Sequence, residues 1–252
     1  AIAPKPKALR GSAIHAAIES IYAARDESMD ALQQLSYVYE TLLREWLTDV
    51  DSDVVDARIE EGLIMLQDWA SEIYLKDLDQ YDVVGTEVSF SIPLLNGFPY
   101  VGTIDRPIKS RLTGNIELRD TKSTAFKIDT AIRNITQGDQ MTGYLWAAKR
   151  VYPGENVTHA CGEILYAYKN KINWSHKAVM TEPITRGVFE LQRYEDKLVG
   201  LYADCASRIR LTPQIDPLHM AVLWPELYNE QSQFEDEYYP LKRLHPKDLL
   251  DE

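Results

Sequence analysis

Residues 115–124 read Asn-Ile-Glu-Leu-Arg-Asp-Thr-Lys-Ser-Thr and set the carboxylate of Asp120 two positions from the amine of Lys122 in a segment with the character of a β-strand. Side chains alternate along a strand, so the two share a face. An acid beside a lysine can hold a divalent cation and stabilise an oxyanion, the minimum equipment for metal-assisted phosphodiester hydrolysis. More carboxylates lie upstream. From Tyr81 the pattern has period two, with Val84, Thr86, Val88, Phe90 and Ile92 on one side and Val83, Gly85, Glu87, Ser89 and Ser91 on the other. The chain then turns at Leu95-Asn96-Gly97 into a second strand running through Asp105 and Arg106. A two-residue Asn-Gly turn would leave Glu87 and Asp105 on opposite faces of this hairpin, whereas a three-residue turn with Gly97 as a bulge sets them opposite each other. The three-residue turn is expected, because only it gathers both acids. A further hairpin near Arg111-Leu112-Thr113-Gly114 then brings Asp105, Asp120 and Lys122 onto neighbouring strands.

The elements that must position these groups are mostly helices. Ile14, Ala17, Ile18 and Ile21 recur at helical spacing after Arg10-Gly11-Ser12, with Ser12 a plausible N-cap. His15 lies at the edge of that apolar stripe, one turn before Glu19, and can offer an imidazole to a metal while Glu19 holds the other ring nitrogen. Two longer helices are expected over 28–48 and 53–78, with the acidic turn 49–53 read as capping rather than as a calcium loop. A helix over 129–151 lines up Arg133, Gln137, Gln140 and Tyr144 in one stripe, donors suited to phosphate and sugar. Strands over 157–168 and 174–181 follow, joined by a turn whose lysines, Lys169 and Lys171, are candidate phosphate contacts. A helix over 185–210 is expected to bury Val188, Leu191, Leu198, Leu201, Tyr202, Cys205 and Ile209, and a proline-punctuated, acidic tail follows it.

Composition sets the bounds. The chain of 252 residues is 45% apolar and 26% charged, as in ordinary globular proteins. Its formal charge of −12 is unevenly spread: residues 19–82 carry 17 acids against 4 bases and residues 226–252 carry 8 against 3, while 83–225 carry 14 against 17. Acidic flanks around a mildly basic middle fit a nucleic-acid groove on one face, and equally fit solvated helices. No apolar run is long enough to span a membrane and the start lacks a signal-peptide core, so an intracellular protein is expected. Cys161 and Cys205 are read as buried free thiols. The sequence contains no phosphate-binding P-loop and no His-Glu-x-x-His motif. Glu117 and Arg119 interrupt the apolar character of a buried strand, which suggests a partly exposed sheet face.

Taken in order, Gly11-x-x-x-His15, Glu87, Gly102-Thr103-Ile104-Asp105, Asp120-Thr121-Lys122 and Gln140-x-x-x-Tyr144 resemble the motif set of the RecB-like branch of the PD-(D/E)XK nucleases, over about residues 8–168. The resemblance implies an α/β (α+β) restriction-endonuclease-like fold, a central mixed sheet flanked by helices, in a single nuclease domain over 1–252. In it, a helical segment of about 28–79 stands between the histidine motif and the sheet, and 211–252 form an extended acidic tail. It implies a metal-dependent DNA exonuclease acting on single strands or duplex ends, with one or two Mg or Mn ions held by His15, Asp105, Asp120 and the backbone carbonyl of Thr121. Lys122 would position or activate the attacking water, Glu87 would be an acid beside the metal, and Gln140 and Tyr144 would orient DNA, with Arg133, Gln137 and Arg10 as further strand contacts. With only two cysteines the chain falls among members that lack an iron-sulfur cluster. The acidic tail is a candidate protein contact. A DNA-binding subunit of the same fold without catalysis, or a structure-specific endonuclease or RNase, remains a rival reading.

Overall fold

Ile14, Ala17, Ile18 and Ile21 fall on one face of a helix because three- and four-residue steps bring side chains into register, and all four are buried in the core of the protein. The structure is a computed structural model and describes residues 6–23, 28–94, 99–125, 127–170 and 173–211. Helix α1 spans Pro6–Ala23, so Ser12 lies inside the helix instead of capping it. Helix α2, Ala31–Trp46, begins with a reciprocal capping box between Asp30 and Gln33. Asp51 caps α3, Ser52–Trp69, by accepting from the backbone of Asp53, so the acidic turn does serve as a cap. The helix expected over 53–78 does not run straight through: a π-helical turn, Ala70–Tyr74, follows α3 and leads into the short α4, Leu75–Asp77.

The chain divides into two compact units. One comprises residues 1–88 and 103–186, the other 89–102 and 187–252. The first holds a five-stranded mixed sheet of β1 (Tyr81–Val83), β4 (Arg106–Ser110), β5 (Ile116–Thr124), β6 (Val157–Lys169) and β7 (Trp174–Met180), in that spatial order. Strands β5 and β6 are parallel and the other neighbours antiparallel. Helices α1–α3 pack with Leu165, Ala167 and Ala178 of the sheet into one apolar core. This is the mixed sheet flanked by helices that the sequence implies.

Two expected elements are broken. The strand read through 81–92 ends at Val83 and resumes as β2, Val88–Pro93, which pairs with β3, Pro99–Ile104, in a separate two-stranded ladder. Across that ladder Gly102 is needed for a close approach, since a Cβ there would lie 2.6 Å from the Phe90 ring. The turn at 95–97 lies outside the described residues. The helix read over 129–151 is two, α5 (Ile128–Gln137) and α6 (Asp139–Val151), separated at Gly138. Arg186 ties them together, donating to Thr142 Oγ1 at 2.9 Å and to the Thr136 carbonyl at 3.0 Å. Helix α7, Val188–Leu211, buries Leu191 and Leu198 but leaves Val188 and Leu201 exposed, against expectation. Cys161 is a buried free thiol; the side chain of Cys205, Lys171 and the acidic tail beyond 211 lie outside the description.

The polar residues of β5 also depart from expectation. Glu117 and Arg119 are buried, not exposed. They face His159 and Cys161 across the parallel pair, and their charges are met locally: His159 Nε2 is 3.3 Å from Glu117, and Arg119 lies 3.5 Å from Glu117 and 3.7 Å from Asp77. Hydrogen bonds to Cys161 and Glu117 push His159 up to about 9. Neutralisation inside the sheet, not solvent, is what allows charged residues in this strand.

Candidate active site

Both upstream carboxylates sit where the chain passes between the two sheets. Glu87 lies in the bend between β1 and β2 with a positive φ of 47°, the one non-glycine residue in that region among those described, and Asp105 is the single residue between β3 and β4. The backbone N–H of Glu87 donates to the Asp105 carbonyl at 2.7 Å, so the two residues stand opposite each other. From there their side chains converge on His15 of α1. His15 Nδ1 lies 3.4 Å from Glu87 Oε1 and 3.4 Å from Asp105 Oδ2. The expected gathering of the two acids is therefore present.

The other ring nitrogen of His15, Nε2, is 2.7 Å from the Thr121 carbonyl, and the Thr121 N–H donates to Asp105 Oδ2 at 2.9 Å. Thr121 thus anchors the imidazole and the carboxylate through its two backbone polar groups, and its carbonyl, expected as a metal ligand, is engaged here by His15. Glu19 does not hold the imidazole as expected, since both ring nitrogens point elsewhere; it lines the small pocket beside His15, Glu87 and Asp105. Burial alone would lower the pKa of His15, but the charge of Asp105 and the hydrogen bond to Glu87 outweigh it and raise it to about 9. Without a metal ion the two acids favour the protonated imidazole, which would place positive charge between them.

On β5, Asp120 is buried and its two oxygens have no hydrogen-bond partner, although Lys122 Nζ lies 3.2 Å from Oδ1. That contact is an ion pair without hydrogen-bond geometry. Burial pushes Asp120 up to about 7 against the opposing pull of Lys122, and Asp105 adds to the rise. Helix α5 packs close to the sheet beside Asp120. Gly162 stands beside Asp120 in the β5–β6 register, and a Cβ on it would come within 2.9 Å of Ile135, so the glycine lets the helix sit close to the sheet.

A divalent cation fits these residues. One ligand atom each from His15, Glu87 and Asp105 all lie within 4.8 Å of one another, a mixed nitrogen and oxygen donor set able to hold a divalent metal ion. Asp120 adds a carboxylate with unsatisfied, buried oxygens, which a cation would satisfy. The nitrogen of His15 that faces the acids is Nδ1, with Nε2–H anchored on Thr121 in the manner of a metal-ligating imidazole held by a backbone carbonyl.

The strand-contact stripe is only partly one surface. Gln140 Nε2 donates to the Tyr144 hydroxyl at 2.9 Å within α6; Arg133 and Gln137 are exposed on α5, beyond the break at Gly138. Arg10 departs from expectation. It is 3% exposed and paired with Glu61 inside the helical layer, which leaves it no surface to offer a nucleic acid. Lys169 pairs with Glu60 at 2.9 Å.

One group passed unnoticed in the sequence. Glu163, fully buried on β6, accepts from Trp69 Nε1 at 2.8 Å and from Thr121 Oγ1 at 3.0 Å and pairs with Arg106. The available signal was a glutamate inside the otherwise apolar Cys161-Gly162-Glu163-Ile164-Leu165, matched by an arginine directly after Asp105.

Among the described residues no helix is long and apolar enough to cross a membrane. No curated protein matches the chain. The family model of the PD-(D/E)XK nuclease superfamily matches residues 2–218, which takes in the whole five-stranded sheet and every group at this site. The chain belongs to the PD-(D/E)XK nuclease superfamily.

Proposed function

We propose that the protein is a Mg- or Mn-dependent deoxyribonuclease, an exonuclease working within the cell on single strands or duplex ends. The observation that carries this reading is the convergence of His15, Glu87 and Asp105 within ligand distance of one another, beside the Asp120–Lys122 pair of β5. Bound there, a divalent ion would supply Lewis acidity and a bound water of lowered pKa. The rest falls to the chain. His15, Asp105 and Asp120 hold the ion and Glu87 stands beside it, serving a second ion where two are bound. The Thr121 backbone keeps the imidazole and Asp105 in place. Lys122, partly exposed at the same strand face, points a fixed ammonium at the water and at the charge that develops on phosphorus-bound oxygen. Gln140 and Tyr144, joined by their own hydrogen bond, orient the strand, with Arg133 and Gln137 as outer phosphate contacts. The preference for DNA ends rests on the order of the motifs and their likeness to the cluster-free RecB-like nucleases.

The test is to incubate end-labelled linear DNA, closed circular DNA and RNA with Mn or Mg, with Asp120→Ala as the control. Mononucleotide release from linear DNA alone, lost in the variant, is the expected result. Cleavage of closed circles would replace the exonuclease with an endonuclease, cleavage of RNA alone would change the substrate, and cleavage of nothing would leave a DNA-binding subunit.

A further inference from the structure

The two acids that the proposed function assigns to the metal, Asp105 just before β4 and Asp120 on β5, have something in common on the opposite side of the sheet. Asp105 is followed by Arg106, and Asp120 by Thr121. Alternation sends the side chain after each acid to the other face, and there both end on one carboxylate, Glu163: Arg106 through a buried ion pair and Thr121 through its hydroxyl at 3.0 Å. Glu163 stands directly beside Thr121 in the parallel β5–β6 register. A third donor, Trp69 Nε1–H at 2.8 Å, comes from α3.

The same knot reaches the histidine. The Arg106 guanidinium lies 5.3 Å from the centres of both the Tyr22 and Trp69 rings, and Trp69 stacks on Tyr74 of the π-helical turn. Tyr22 and His15 are seven residues apart on α1, two turns along one face. Arg106 therefore fixes the rotation of the helix that carries His15 while it fixes the strand that begins beside Asp105. A fully buried carboxylate with three donors is a rigid junction, because each donor it lost would leave a buried polar atom unsatisfied.

We infer that Glu163 is a positioning residue for the metal site, a buried junction behind the sheet that sets the separation of Asp105, Asp120 and His15 through Arg106 and Thr121. This rests on the metal-site reading above. It touches neither metal nor substrate. Its effect is read as metal affinity, for which outer partners of ligands typically count for about 10–100-fold.

The experiment measures Mn binding directly, by the paramagnetic resonance of free Mn in titrations of the full chain without substrate, beside metal-free thermal unfolding. Glu163→Gln keeps the shape and removes the charge; Thr121→Val removes only the hydroxyl that reaches Glu163, and Thr121→Ser restores it. The expected result is a Kd for Mn raised about tenfold or more in Glu163→Gln, raised less in Thr121→Val, and returned to the wild-type value in Thr121→Ser. Should Glu163→Gln fail to fold, the Thr121 pair decides alone. Folded variants that melt earlier yet bind Mn as the wild type does would overturn the inference and leave the metal site standing. A wild-type protein that binds no Mn would overturn the metal site and this inference with it.

Discussion

Asp120 is 1% exposed, and a carboxylate that deep with neither oxygen hydrogen-bonded is a standing cost to the folded protein. Removing its charge is therefore expected to stabilise the metal-free protein. Asp120→Asn should unfold at a higher temperature than the wild type in chelator, by ~2–4 °C for each kcal/mol gained, and should lose the further rise that Mn or Mg gives the wild type. Calorimetry in chelator checks it, and a lower melting temperature there would mean that the ion pair with Lys122 outweighs desolvation. Lys122 bears on the same acid from the other side. Its ammonium favours the ionised Asp120, so Lys122→Ala acts twice. At saturating metal, cleavage should fall by ~2.7–4 kcal/mol of transition-state stabilisation, the range for loss of a fixed donor to developing charge. At pH 7 metal affinity should fall as well, since Asp120 takes its proton more readily, and should recover on raising the pH. Single-turnover cleavage and Mn binding at both pH values separate the two effects; unchanged cleavage per bound ion would reduce Lys122 to a partner of Asp120.

At the scale of elements, the site is made where strands end. Glu87 and Asp105 are placed by the break that divides β1 from β2 and β3 from β4, and Glu87 occupies a left-handed conformation there. That conformation strains residues with a Cβ and strains β-branched ones most. Glu87→Gly and Glu87→Val both delete the carboxylate, and strain at the left-handed position works against the valine beyond its packing and the chain-entropy cost of glycine: the valine variant should be less stable, by about 1–2 kcal/mol in denaturant unfolding. Equal stabilities would mean that the bend relaxes freely. The same bend shows where sequence reading reaches its limit. Period two gave the faces correctly within β2, where Phe90 is buried while Ser89 and Ser91 are exposed, but not before it, where Val83 and Val84 are both exposed; a run of alternating types does not reveal where a chain leaves one sheet for another, so the break at 84–87 left no periodic trace. Helical spacing was equally blind at Gly138, where the glycine itself was the signal. Asp120, Lys122, Asp105 and His15 were legible because chemistry-bearing types stand out against an apolar background. Glu163 and Arg106 were not, because their partners come from α1, α3 and β5 at sequence separations that no local pattern encodes. Arg10 was misread for the same reason: its partner, Glu61, is 51 positions away.

For the whole molecule, the ionic centre should write itself into the pH dependence of stability. Two groups at the site are raised in the folded protein: Asp120 from an ordinary 3.8 to about 7 by burial, and His15 from 6.5 to about 9, where the neighbouring Asp105 and Glu87 overcome burial. A group with a raised folded pKa binds its proton more tightly folded than unfolded, so its contribution is complete below the unfolded value and is lost as pH climbs through the folded one. For Asp120 that loss runs from about 4 to 7, and for His15 from about 6.5 to 9. Both have the same sign, and so does His159 within the sheet, raised from 6.5 to about 9 by hydrogen bonds to Cys161 and Glu117. Carboxylates whose pKa is lowered, such as Glu117, where burial is outweighed by the hydrogen bond to and charge of His159, act oppositely but only in the acid range. Between pH 6 and 9 the melting temperature of the metal-free protein should therefore fall steadily. Divalent metal should reverse the slope, because a cation satisfies the same acids without the protons and competes with them less as pH rises. Melting curves across that range in chelator and in excess Mg test both halves: a metal-free melting temperature that rises with pH would mean that the site does not hold its protons, and parallel curves with and without Mg would mean that proton and metal do not share it.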